Sequence, residues 1–68
     1  MMEILVNGEP RNFERPPTIA ELLAAMGLAE RRVAVEVNRE IVPRSQHAQH
    51  RLQAADQVEV VFAIGGGA

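Results

Sequence analysis

Only one stretch of this chain has helical spacing, and it lies between segments that alternate with the period of a strand. Ile19, Leu22, Leu23 and Met26 recur at i, i+3, i+4 and i+7, one stripe of a short amphipathic helix. Thr18 and Glu21 form a capping-box pattern ahead of it. The threonine hydroxyl accepts the N–H of the third helical residue, and the glutamate reaches back to the threonine N–H. Gly27 supplies a left-handed cap at the other end. One short helix with one apolar stripe points to a helix laid across one face of a sheet.

The strands can be read on either side of it. Glu3 to Asn7 is rich in β-formers and opens onto Asn7-Gly8, whose two residues both tolerate the positive φ angles of a type I′ hairpin turn. Pro10 restricts the start of the return strand, roughly Arg11 to Glu14, and Pro16-Pro17 ends it. Met2, Ile4 and Val6 fall on one face, with Leu5 on the other. Val33, Val35 and Val37 alternate in the same way. Asn38-Arg39-Glu40 turns the chain into a short segment, Ile41-Val42, which Pro43 stops. Arg44 to Arg51 reads as a loop with one helical turn, anchored by Leu52. Gln57 to Ala63 is the last strand, with Val58, Val60 and Phe62 facing the core and Glu59, Val61 and Ala63 facing away.

The order β-β-α-β-(short β)-β predicts an α+β fold of the ubiquitin-like β-grasp type. Its mixed sheet has four to five strands, one main helix packs on one face, and the first and last strands lie side by side and parallel. The expected organisation is a β-grasp domain over residues 1–63 and a flexible glycine-rich tail over 64–68.

Composition narrows the function. With 68 residues and no cysteine, the chain holds one domain and has no disulfides, thiol chemistry or thiolate metal sites. It is too small to enclose a deep substrate pocket. A net charge of -2, with no basic stripe, argues against nucleic-acid binding. No apolar run reaches membrane-spanning length and no leader pattern is present, so a cytoplasmic protein is expected. All seven basic residues are arginine, so no side-chain amine is available to receive an acyl group.

His47 and His50 sit three apart, but with no third ligand or cysteine nearby a metal site is not expected, and both read as surface histidines in a polar loop. No nucleophile–base set, paired-carboxylate site or phosphate-cradling loop occurs, and an enzyme is the least supported class. Leu5, Val61 and Ala63 form a modest apolar strip on the open sheet face. It is either a docking surface or the ordinary scatter of exposed apolar residues.

The last strand runs into Ile64-Gly65-Gly66-Gly67-Ala68. Ordering glycine costs more backbone entropy than ordering any other residue, so this tail adds nothing to the fold. Four extended residues reach roughly 13 Å. An arm without side chains suits passage through a narrow channel into another protein's active site; a frayed terminus or a linker remnant is the alternative.

The whole chain resembles the ThiS family of sulfur carriers in thiamin biosynthesis. The resemblance rests on Ile4-Leu5-Val6-Asn7-Gly8, on Thr18 to Leu23, and on Val35 to Arg44 with its Asn-x-x-Ile-Val-Pro-Arg segment. Asp56 to Val61 and the Gly-Gly tail complete it. It implies that a ThiF-like adenylyltransferase uses ATP to activate the terminal glycine. A cysteine desulfurase system then supplies the sulfur that makes a thiocarboxylate, and thiazole synthase (ThiG) receives that sulfur. By this resemblance Gly67 is the activated residue, and Ile64, Gly65 and Gly66 enter the partner's active site. The carrier itself binds no cofactor and is a monomer when alone. Arg39 and Arg44, flanking Ile41-Val42-Pro43, are candidates to meet acidic surfaces on the activating enzyme, or else are solvated arginines around a turn. The family pattern ends at Gly-Gly, whereas here Ala68 follows. Removal by a peptidase is the favoured reading, and an artificially added residue is the second. The small subunit of a molybdopterin-synthase-like complex and a β-grasp modifier or interaction module stand as alternatives.

Overall fold

Asn7 and Gly8 both take positive φ, 52° and 84°, and close the first hairpin with Val6 opposite Glu9. This is the type I′ geometry expected of Asn-Gly. The computed structural model describes residues 2–62. Strand β1 is Met2–Val6 and β2 is Glu9–Phe13. Helix α1 spans Ile19–Ala25, β3 Val33–Val37 and β4 Glu40–Val42. A single 3-10 turn covers Arg44–Gln46, and β5 spans Gln57–Phe62. The five strands form one sheet in the order β2-β1-β5-β3-β4. β5 is parallel to β1 and antiparallel to β3, as expected of a β-grasp. Pro10 lies on β2, an edge strand, where a missing N–H leaves no ladder bond unmade.

Both ends of α1 are satisfied, the C-terminus by local chemistry and the N-terminus by a local box plus a distant loop. Thr18 Oγ1 accepts the Glu21 N–H at 3.1 Å and Glu21 Oε1 accepts the Thr18 N–H at 2.9 Å, completing the capping box. The Leu22 N–H reaches the Thr18 carbonyl. The two remaining free N–H groups of the first turn, on Ile19 and Ala20, donate to the carbonyls of His50 and His47 at 3.0 Å each. At the C-terminus Gly27 takes φ 76°, the Leu28 N–H bonds the Leu23 carbonyl and the Gly27 N–H bonds that of Ala24, a Schellman motif.

The core lies between α1 and one sheet face. Ile19, Leu22 and Leu23 pack on Ile4, Val6, Val35, Val37, Val42, Val58 and Val60, with Leu52 also fully buried. Met2, Met26 and Val33 are partly buried against this cluster. Among the described residues no helix is long and apolar enough to cross a membrane.

His47 corrects the sequence reading. It is 6% exposed, not a surface residue, and its Nε2 lies 3.0 Å from the Val42 carbonyl oxygen. The cause is the pairing of its own carbonyl with α1. Once the loop's backbone supplies partners for the helix N-terminus, residue 47 is drawn against the core, and its ring meets the Val42 carbonyl at the end of β4.

Candidate functional site

The strand that leads into the tail is held on both edges, on one side by an unusual means. β1 pairs with β5 only through Leu5 opposite Gln57 and Val6 opposite Val58, whereas β3 follows β5 out to Val33 opposite Phe62. Beyond Val58 the β1 side of β5 would stand open. Asn7 fills it: its Oδ1 accepts the Val60 N–H at 2.8 Å and its Nδ2 donates to the Val60 carbonyl at 3.3 Å. The asparagine that tolerates the hairpin turn thus also acts as one more residue of strand. Asn38, at φ 51° in the β3–β4 turn, does the same at the other end. Its Oδ1 accepts the Gln57 N–H at 3.0 Å, and its Nδ2 donates to Asp56 Oδ1 at 3.1 Å.

Asn7→Gly separates these two roles, since glycine keeps the turn but loses the clamp. We expect a destabilisation of about 1–2 kcal/mol from the unpaired Val60 groups. Hydrogen exchange at the Val60 amide should speed up more than at Val58, and equal rates would contradict the clamp.

Phe62 departs from the sequence reading. Alternation places it on the helix side with Val58 and Val60, yet it is 50% exposed. A seven-residue helix is about 10 Å long, whereas six residues of strand run about 20 Å, so α1 does not cover both ends of β5. The Arg31 guanidinium covers the ring instead, with its Cζ 5.2 Å from the ring centroid. Ala63, Ile64, Gly65, Gly66, Gly67 and Ala68 lie outside the described residues, and with them the expected boundary between domain and tail.

The open sheet face is not the continuous apolar strip expected. Leu5 is half-buried at the Gln57 end of β5, and Val61, 53% exposed, lies beside Ala34 near the other end. Four residues of strand, about 13 Å, separate the two registers. Glu59 stands between them directly opposite Glu36, and Glu36 in turn faces Ile41 on β4. Ile41 is 68% exposed and belongs to this face, although the sequence reading gave it no side. Like charges directly opposite on neighbouring strands weaken a sheet. This face is therefore acidic at its centre, with Val61 and Ile41 as its apolar parts.

The two arginine candidates are parted by the fold. Arg39, at φ 73°, sits in the β3–β4 turn, at the end of the sheet remote from Phe62. β4 then runs back along β3, with Val42 opposite Val35, so Arg44 returns towards the Phe62 end. There a cleft of about 110 Å³ is lined by Ala20, Leu23 and Val33 together with Arg31, Arg44 and His47. Sequence reasoning missed Arg31 because its importance comes from the pairing of Val33 with Phe62, a long-range contact with no local signal. Among the described residues no group of three or more His, Cys, Asp or Glu side chains is placed to hold a metal ion.

This five-stranded sheet with one helix packed on one face has close counterparts. The solved structure of thiamine biosynthesis protein ThiS from Geobacter metallireducens superposes with a TM-score of 0.84 at 32% identity, over 97% of this chain and all of that one. The sulfur carrier protein ThiS of Escherichia coli is 36% identical over 66 residues, which are 97% of this chain and the full length of that protein. The thiazole synthase of Paramagnetospirillum magneticum is 47% identical over 66 residues, where the chain spans only 20% of the relative's length. The ThiS family model matches residues 4–67, nearly the whole chain, and by that match the chain belongs to the ThiS family.

Proposed function

We propose that this chain is a sulfur carrier for the thiazole ring of thiamin, itself not an enzyme, with Gly67 as the residue that bears the sulfur. The end-to-end likeness to the E. coli carrier carries this reading, together with a family match that runs through Gly67 and stops short of Ala68. The chemistry follows from what a glycine carboxylate can do. It does not react with a sulfur nucleophile while ionised. In the active site of a ThiF-like adenylyltransferase, a carboxylate oxygen attacks the α-phosphorus of ATP. Pyrophosphate leaves, and the acyl adenylate forms. A cysteine desulfurase system holds its sulfur as a persulfide; two electrons from a thiol reductant release it as a hydrosulfide equivalent, which adds to the carbonyl carbon and expels AMP, leaving a thiocarboxylate.

Thiazole synthase takes that sulfur. The likeness of this chain to one fifth of two bacterial thiazole synthases supports that partnership. Glycine at 65 to 67 lets the backbone lie close against channel walls where a Cβ would clash. The role of the folded body is to hold Phe62, and so the start of the tail, at a fixed place on the sheet. Val61, Leu5 and Ile41 belong to the face that meets the partner. The carrier works in the cytoplasm, where ATP and reduced sulfur are supplied.

Intact-mass measurement tests this. The chain ending at Gly67 is incubated with ATP, the adenylyltransferase and a sulfide source. The expected product is heavier by the difference between one sulfur and one oxygen, and the gain requires ATP. A chain that keeps Ala68 is expected not to load. No mass gain with Gly67 at the end would reject the proposal.

A further inference from the structure

We infer that Arg31 and Arg44 form a cationic collar around the base of the tail, which docks on an acidic rim at the mouth of the channel that receives it. The inference rests on the carrier reading and names the chemistry of the partner surface. A tail that threads into another protein brings the root of the tail against that protein's surface, so the residues around Phe62 are the first to meet it. The pairing of Val33 with Phe62 places the start of β3 there. Arg31 lies over the Phe62 ring and lines the adjoining cleft together with Arg44 and the buried His47.

Arg32 is exposed next to them, so residues 30–32 and Arg44 carry three arginines against the single carboxylate of Glu30. The cleft, at about 110 Å³, has room for one aspartate or glutamate side chain of the partner. Its lining by Ala20, Leu23 and Val33 would leave that carboxylate poorly hydrated, which strengthens its attraction to the guanidinium groups.

The opposite side of β5 carries the other sign. Glu59 and Glu36 face each other on the open sheet face, and Glu59 is three residues from Phe62, about 10 Å along the strand. An acidic rim is therefore drawn to the helix side and repelled from the sheet side. The carrier approaches turned so that the tail enters at one angle, with the apolar Val61 and Ile41 free to reach further along the partner. Complementary charge of this kind acts on orientation and encounter and is weakened by salt.

The test measures binding to the adenylyltransferase and to thiazole synthase of the same organism by calorimetry, at low and high salt. The double variant Arg31→Glu/Arg44→Glu is expected to raise Kd at least about tenfold at low salt and to lose most of the salt dependence. A matched reversal at the far end of the sheet, Arg11→Glu/Arg15→Glu, should change Kd less than about twofold. Arg31→Gln/Arg44→Gln should fall between the two and decides the matter if the glutamate variant does not fold, which thermal melting reports. Equal losses from the two reversals, or none from either, would overturn the collar. Wild-type chain that binds neither enzyme would overturn the carrier reading and the collar with it.

Discussion

Leu52→Ala is expected to leave most of the chain unfolded at room temperature. Leu52 belongs to no helix or strand, yet it is fully buried in the core cluster. Its N–H bonds the Pro17 carbonyl at 2.8 Å, and next to it Arg51 pairs with Thr18 in an isolated bridge. The residue therefore ties the long connection to the start of α1 and fills the space beneath it. Removing a buried leucine side chain costs about 3–5 kcal/mol in a rigid core. A cysteine-free domain of this size has about 3–5 kcal/mol in all, so the substitution removes most or all of the margin. Thermal and urea unfolding followed by circular dichroism read the effect directly. Leu52→Met, which keeps the volume, should cost less than about 1.5 kcal/mol. An alanine variant melting within about 5 °C of the wild type would mean that the site collapses around the smaller side chain.

Leu52 also marks where the sequence was legible and where it was not. Periodic signals and turn chemistry carried most of the fold. The Met2, Ile4 and Val6 face, the Ile19 to Met26 stripe, the Thr18–Glu21 box and the Asn7-Gly8 turn each rest on interactions within a few residues. Leu52 was readable as an anchor because it is a lone large apolar residue in a polar stretch. His47 was not, since its burial follows from backbone carbonyls meeting the helix N-terminus, and carbonyls look alike in every residue type. The same holds for Asn7 and Asn38: the turn preference is local and visible, whereas the clamps on Val60 and Gln57 join distant parts of the chain. The candidate docking residues split for the same reason. Strand direction, and not sequence distance, sends Arg39 away from the base of the tail and brings Arg44 to it. Phe62 was misplaced because alternation gives the side of a sheet but not how far the helix covers it.

A chain ending at Ile64 is expected to fold as well as the full chain and to accept no sulfur. The stability half of this follows from the core. Among the described residues every fully buried side chain lies between Ile4 and Val58, and the last strand is clamped through Val60, so the fold is expected not to depend on residues 65–68. Melting temperatures of the two chains should agree within about 2 °C, as expected when only terminal residues that add nothing to the core are removed. The activity half follows from reach and chemistry. Five residues past Phe62, to Gly67, span at most about 17 Å when extended, whereas two span about 7 Å. The shortened chain still ends in a carboxylate, but one beside a branched side chain and about 10 Å short of its station. Loading, read by intact mass, should fall below detection. Gly66→Val in a chain ending at Gly67 separates the two causes, because it keeps length and carboxylate but adds a branched side chain inside the channel. If bareness matters as well as reach, this variant loads at least about tenfold more slowly while binding the adenylyltransferase through its folded body nearly as well. Full loading of the Ile64-terminated chain would show that sulfur is carried elsewhere on the molecule. Normal loading of the valine variant would show that only the length of the arm matters.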